Sequence, residues 1–455
     1  MAKKPTENRM IVYGMLTEFR KMQQEGKNVK AGDLLKDVLS KYDYLPEQDK
    51  AFMKRLFEGC MERRLTLDYV ISQYANTKNG KIKPAVKDIL RMAIYQILYM
   101  DAVPDAAAVN EAILIAENKG LSSLKNFING VLRNVSRNKE NISWPEKETE
   151  PVNYLSVVYS FPVWLAGLFH KRFGLETAEK IFGRMNEPAG LVVRILAKTD
   201  VDELLSLWKK QEIAYRKHPY SDRAYILDGV NGLDKVPGFN EGMFTVQDIS
   251  SQLSVQCLGL EQGDTVLDLC ASPGGKSMLA AELVSAKGKV ISRDLTEQKM
   301  VRIRENMERL GIDNVYPQVQ DATTLREEDK EAFDAVIADL PCSGLGVMGR
   351  KNDIRYRLDR EDLRTLAMLQ RDILENAVTY IKPGGRLLYS TCTISKEENE
   401  DNRRYLIEEL HMTPVSIKEK LPGGLMAETA SEGYLQLLPG MHDCDGFFIS
   451  LYEKK

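Results

Sequence analysis

Two of the six cysteines stand where a thiol could do chemistry. Cys342 lies in Asp339-Leu340-Pro341-Cys342-Ser343-Gly344, and Cys392 in Tyr389-Ser390-Thr391-Cys392-Thr393. Each follows a short apolar run, 334–338 and 386–389, that reads as a buried strand. A structural cysteine usually sits inside a strand. A thiol just past a strand end is placed to act as a nucleophile or a base. Cys60, Cys257 and Cys444 have no such setting and read as core filler. No C-x-x-C pair occurs and the four histidines are scattered, so no zinc or other metal site is expected.

A third group of residues suits a small anionic or nucleoside-like ligand. The run Cys270-Ala271-Ser272-Pro273-Gly274-Gly275-Lys276-Ser277 follows the strand candidate 265–269. Its glycines permit close backbone approach, and the helix that follows offers unpaired N–H groups. The spacing is neither G-x-G-x-x-G nor that of a Walker A loop, which argues against a dehydrogenase or an NTPase. Asp294 and Asp321 end the next two strand candidates. By the logic of nucleoside cofactors they could meet ribose hydroxyls and an adenine amino group. Each alone is more simply read as a helix cap, and it is their occurrence at successive strand ends that points to a ligand.

The elements that must hold these residues alternate. Strands are expected at 265–269, 289–292, 315–319, 334–338 and 386–389, with helices at 276–284 and 297–310 between them. This implies right-handed crossovers and a mostly parallel, doubly wound sheet, with ligands at the carboxyl ends of the strands. Residues 1–139 carry period-3.6 apolar stripes, such as Val86, Leu90, Ala93, Ile94, Ile97 and Leu98 with Lys87 and Arg91 opposite, and predict an all-helical bundle. Residues 140–151, polar with two prolines, read as a linker. Residues 152–261 read as a small α/β subdomain, and 262–455 as the Rossmann-like domain.

Bulk properties fit a cytoplasmic protein. The chain has 455 residues and a net charge of −3, with no signal-like N-terminus and no apolar run long enough to span a membrane. Residues 1–139 hold 24 Lys and Arg against 16 Asp and Glu, while the remainder holds 39 against 50. A basic first domain suits RNA, but a merely solvated surface would look the same. A monomer is expected.

Taken together, the segments around Cys270–Ser277, Cys342 and Cys392 resemble the signature motifs of RNA 5-methylcytosine methyltransferases. Phe244-Thr245-Val246-Gln247-Asp248-Ile249-Ser250-Ser251-Gln252 resembles that family's lead-in, and Asp445-Gly446-Phe447-Phe448 its closing motif. Residues 90–98, 108–112 and 127–133 resemble a NusB-type RNA-binding domain. Such a domain ahead of such an enzyme is the architecture of the bacterial 16S rRNA cytosine-5 methyltransferase B group. Ser272 and Ser277 stand where the cofactor motif often has Ala and Thr, and Arg293 directly precedes Asp294.

The resemblance implies S-adenosylmethionine as cofactor, no metal, and 16S rRNA as substrate. It makes Cys392 the nucleophile toward cytosine C6 and Cys342 the group assisting proton removal and release. The related DNA enzymes use the Pro-Cys position as nucleophile, which would be Cys342 here. Cys270, Ala271, Ser272, Pro273, Gly274, Gly275 and Lys276 would hold the methionine part of the cofactor, Asp294 its ribose and Asp321 its adenine. Asp339 would meet either the base or the cofactor, and Lys276 would position Asp339 or favour a thiolate. The rivals are the same chemistry on tRNA or another rRNA site, a non-catalytic RNA-binding assembly factor, and a DNA methyltransferase.

Overall fold

The computed structural model describes residues 4–27, 30–75, 81–230, 232–425 and 427–455. The chain divides into two compact units, Met1–Asn186 with Arg350–Arg357, and Glu187–Gly349 with Leu358–Lys455.

The first unit holds helices and no strand among its described residues, as the periodicity implies. Its centre is the helix Pro84–Tyr99, which opens with proline at its first turn. Val86, Ile89, Leu90, Ala93 and Ile94 are almost fully buried. The opposite side is covered too, which the one-sided stripe did not convey. Arg91 is 9% exposed. Its Nε and Nη2 donate to the two Asp68 carboxylate oxygens at 2.7 and 2.8 Å, and Nη1 donates to Asp88 at 3.2 Å. A buried guanidinium needs such a full set of acceptors.

The helix Pro151–Tyr159 and the helical stretch Val163–Met185, broken at Gly174 with φ 76°, belong to this unit and not to a separate subdomain beginning at 152. Hydrogen bonds explain why. Thr66 Oγ1 donates to the Val157 carbonyl at 2.6 Å, and the Leu65 N–H to Ser160 Oγ at 2.9 Å. The compactness of the chain therefore breaks at residue 186, past the polar stretch 140–151. The excursion Arg350–Arg357 joins the same unit through Arg355, fully buried. That guanidinium stacks 4.0 Å from the Phe161 ring and donates to Asn186 Oδ1 at 3.1 Å.

The second unit holds two sheets. The smaller is antiparallel, with strands β1 Leu191–Ile195, β2 Ala214–Lys217, β3 Ala224–Asp228 and β4 Phe244–Val246 in the order β2-β3-β1-β4. The helix Val201–Lys210, capped by Asp200, lays Trp208 on it edge-to-face with Tyr225 and Phe244. The expected α/β character thus holds for 187–261 only.

The larger sheet contains β5 Thr265–Asp268, β6 Lys289–Asp294, β7 Val315–Val319, β8 Phe333–Asp339, β9 Ile381–Thr391, β10 Thr413–Pro414, β11 Tyr434–Leu437 and β12 Phe447–Glu453. Its order is β10-β12-β9-β8-β5-β6-β7, with β11 beside β12. The five strands β7, β6, β5, β8 and β9 run parallel. Strands β10, β11 and β12 pair antiparallel, so the sheet is mixed. The parallel core is apolar on both faces because helices cover both, and β8 accordingly buries Phe333, Ala335, Val336, Ile337 and Ala338.

Arg309 welds the two sheets together. From the helix Glu297–Leu310 it donates to the Phe239 and Phe244 carbonyls at 2.9 and 3.1 Å and stacks 4.0 Å from the Phe239 ring. Gly242 must stay without a side chain here, since a Cβ would stand 2.0 Å from the Arg309 carbonyl oxygen.

Candidate functional site

Strand order decides which residues meet. β8 and β9 are parallel neighbours with Asp339 opposite Ser390, so Cys342 and Cys392 leave the sheet side by side. Their sulfurs lie 3.3 Å apart. The thiol–thiol hydrogen bond, and then burial, hold the Cys342 pKa well above its ordinary value. None of the six cysteines is in a disulfide. Burial raises the pKa of Cys60, Cys257 and Cys444, which suppresses the thiolate at those positions.

A buried polar lattice holds both cysteine loops. Glu398 is fully buried and accepts from the Ser343 N–H at 2.9 Å and the Ser343 hydroxyl at 2.5 Å. Ser343 Oγ also lies 2.6 Å from Thr393 Oγ1. Gln370 donates to Glu398 at 3.0 Å and to the Pro341 carbonyl at 2.8 Å. Tyr389 donates its hydroxyl to the Glu398 carbonyl. On the other side, the Gly346 N–H donates to the Cys392 carbonyl at 3.0 Å, and the Gly446 N–H to the Gly346 carbonyl at 2.9 Å.

Asp339 stands at the end of β8 between two donors. Lys276 Nζ donates to Oδ2 at 2.7 Å, and Ser390 Oγ donates to Oδ1 at 2.9 Å. Lys276 is largely buried, with its ammonium 5.1 Å from the Phe447 ring centre. Of the two uses considered for Lys276, the geometry favours orienting Asp339.

The turn after β5 is tied to the end of β6. The Ala271 N–H donates to the Arg293 carbonyl at 2.8 Å, and the Ser272 N–H to Asp294 Oδ2 at 3.0 Å. Asp294 Oδ1 accepts from the Leu295 N–H and from Lys299 Nζ, each at 2.7 Å. Gly274 has φ 105°, a conformation that favours glycine. The helix Gly275–Val284 starts with no side-chain cap, so its first N–H groups are unclaimed by one. Cys270 is in this turn, and burial raises its pKa. Asp321 is exposed and caps its own turn, accepting from the Thr323 N–H at 2.9 Å and hydroxyl at 2.7 Å, which lowers its pKa.

Two of the three residues that depart from the family motif have simple accounts. Ser277 still supplies a hydroxyl, which donates to Asp268 Oδ2 at 2.7 Å. Arg293 is buried and bonds Gln318 at 3.1 Å and Asp329 at 2.5 Å, on strand β7 and in the segment beyond it.

Several residues of the site were not singled out by sequence: Asp268, Gln247, Ser390, Ser343 and Glu398. Gln247 donates to the Gly275 carbonyl at 3.1 Å. Asp268 is 1% exposed, with Oδ1 lacking a hydrogen-bond partner, and burial lifts its pKa to about 7. An orphaned carboxylate oxygen, an uncapped helix start and a turn with a positive-φ glycine suit a ligand carrying an ammonium and a carboxylate, as the methionine part of S-adenosylmethionine does. Among the described residues no cluster of three or more His, Cys, Asp or Glu could hold a metal ion, and no helix is long and apolar enough to cross a membrane.

A mixed sheet with a parallel core, a glycine turn after its central strand and a helical unit ahead of it define a methyltransferase with a NusB-like N-terminal region. Residues 255–453 match the family described as 16S rRNA methyltransferase RsmB/F, and residues 6–137 match the NusB family. The chain is 35% identical over 427 residues to the probable ribosomal RNA small subunit methyltransferase B of Bacillus subtilis, covering 93% of this chain and 94% of that one. It belongs to the RsmB/F family of S-adenosylmethionine-dependent methyltransferases. The crystal structure of PH0851 superimposes with a TM-score of 0.78 at 26% identity, covering 100% of both chains. NSun6 from Pyrococcus horikoshii, solved with SFG, shares the fold at a TM-score of 0.59 and 21% identity, over 65% of this chain and 99% of that one.

Proposed function

We propose that this protein methylates C5 of a cytosine in 16S rRNA through a covalent adduct on Cys392. The observation that carries the reading is the pair of thiols 3.3 Å apart at the carboxyl ends of adjacent parallel strands. Cytosine C5 is too weak a nucleophile to take a methyl group unaided. The Cys392 thiolate adds to C6, and the C5=C6 electron pair becomes available at C5, splitting one hard step into two easier ones. S-adenosylmethionine, when bound, supplies the methyl group as an electrophile. Cys342 then takes the C5 proton, the C5=C6 bond re-forms, and the Cys392 thiolate leaves.

Asp339, fixed by Lys276 and Ser390, presents a carboxylate beside the thiols and is assigned to the base or to the cofactor. The turn 270–276, with Asp294 and Asp321, is assigned to the cofactor. The target base must leave its stack, so a loop or an opened helix is the expected substrate. The basic helical unit would add phosphate contacts that position without specifying sequence. The name of the Bacillus subtilis relative favours small-subunit rRNA over tRNA or DNA.

The test is methyl transfer from radiolabelled S-adenosylmethionine to deproteinised 16S rRNA, tRNA and duplex DNA. Wild type should label 16S rRNA, and Cys392→Ala should lose activity by about a thousandfold or more, as expected on removing a nucleophile. Cys342→Ala should stall with RNA covalently attached. Loss of transfer in Cys342→Ala with Cys392→Ala still active would reverse the two roles.

A further inference from the structure

Glu398 is a buried acid that the mechanism above does not use. It stands in Lys396-Glu397-Glu398-Asn399-Glu400-Asp401, a run that reads as solvated charge, yet it is fully buried. A carboxylate is taken out of water only where donors compensate it. Those donors are informative. Ser343, which supplies two of them, is the residue directly after Cys342. Thr393, whose hydroxyl lies 2.6 Å from that of Ser343, is the residue directly after Cys392. Gln370 bonds the same carboxylate and the carbonyl of Pro341, the residue directly before Cys342. One side chain therefore organises the backbone on both sides of one thiol and, through a shared hydroxyl, the residue following the other.

We propose that Glu398 is a positioning residue that holds the Cys342 loop so that its sulfur faces Cys392 and the methylated C5, setting the rate of product release. The inference rests on the roles given to the two cysteines above. What matters is that the side chain at 398 bonds both the N–H and the hydroxyl of Ser343. That requirement separates Glu and Gln from an apolar residue of similar size. Gln can keep its carbonyl oxygen toward the Ser343 and Gln370 N–H groups and turn its amide toward the Ser343 hydroxyl, which can accept. Met leaves both N–H groups without an acceptor.

The experiment uses the full-length chain and 16S rRNA, with Glu398→Met, Glu398→Gln, Ser343→Ala and Cys342→Ala. In Glu398→Met, kcat should fall about 100-fold, the order expected when a reacting group is displaced by 1 Å. KM for S-adenosylmethionine should stay near wild type, because the turn 270–276 is untouched. The distinguishing readout is a covalent RNA–protein band on denaturing gels. It should accumulate in Glu398→Met as in Cys342→Ala, vanish when Cys392→Ala is added, and be relieved in Glu398→Gln. A merely structural role would lower activity with no adduct. If Glu398→Met does not fold, Ser343→Ala decides: a weaker accumulation of the same adduct supports the role, and none overturns it. Adduct in Cys342→Ala but not in Glu398→Met overturns the Glu398 assignment alone. No adduct in Cys342→Ala removes the reading of the cysteines on which it rests.

Discussion

At the carboxyl ends of β8 and β9, Ser343, Thr393, Glu398 and Gln370 are bonded to one another or to the backbone flanking the thiols. At the end of β5, just ahead of the glycine turn, Asp268 keeps one carboxylate oxygen without a partner, and the helix that follows starts without a cap. The first region is closed and the second is open. A site for covalent chemistry gains from rigid, fully satisfied surroundings, because misplacement by 1 Å is costly. A site for a departing cofactor gains from valences that only the ligand completes, at a cost in stability when it is absent.

The largest expected effect breaks the open half. Burial raises the Asp268 pKa from 3.8 to about 7. Above its ordinary value the unfolded chain has lost this proton while the folded chain still holds it. The residue therefore favours the fold at acid pH, and that contribution is lost as pH rises through about 7. Asp268→Asn removes the titration. Its stability relative to wild type should climb between about pH 4 and pH 8, by up to about 4 kcal/mol, measured by urea denaturation across pH. Its affinity for S-adenosylmethionine, by calorimetry, should fall. A variant that gains stability and keeps its affinity would show that the open valence does not serve the cofactor.

Next comes the link between the halves. Lys276 opens the cofactor helix and bonds Asp339 beside the thiols. Lys276→Met keeps the length of the side chain and leaves Asp339 with Ser390 alone. The lost charged hydrogen bond is worth about 1.5–3 kcal/mol, so turnover should fall by up to about a hundredfold. Single-turnover rates at saturating cofactor would report it, and an unchanged rate would mean that Asp339 needs only Ser390.

The closed half breaks through packing. A Cβ on Gly346 would stand 1.9 Å from the Gly446 carbonyl oxygen, so Gly346→Ala must push a pair of backbones apart, one of which bonds the Cys392 carbonyl. Overpacking of this kind costs about 1–3 kcal/mol, visible in the urea midpoint, and activity should fall with it.

What the sequence conveyed follows the same division. The central strands β5 and β8 were legible because a parallel sheet covered on both faces reads as uninterrupted apolar runs, as Val266-Leu267 and Ala335-Val336-Ile337-Ala338 do, whereas the edge strand β7 leaves Tyr316 and Val319 half exposed. The sheet of β1 to β4 was not, because its strands are three to five residues long and β2 is mostly exposed, leaving no alternation to detect. Arg91 read as the polar side of its helix and is buried, since the acceptor Asp68 comes from another element. Asp294, Asp321, Asp339, Cys342 and Cys392 could be named because the ends of parallel strands converge, while Asp268 at the end of β5 was passed over. Glu398 could not, because nothing in a run of six polar residues says that Glu398 and Asn399 turn inward while Lys396 stays exposed.

The smallest effect tests the margin of the open half. Asp321 is exposed, and the Thr323 bonds it accepts fall on Oδ1. If Oδ2 meets the adenine amino group, Asp321→Ala removes one hydrogen bond worth about 1 kcal/mol, and the cofactor Kd should rise about fivefold. Asp321→Asn keeps an acceptor for Thr323 and can turn its amide toward the ligand, where it meets a donor with a donor. It should therefore weaken binding about as much as alanine does, while leaving the turn and the urea midpoint intact. Equal affinity for wild type and both variants would place the adenine elsewhere and leave Asp321 as a turn cap.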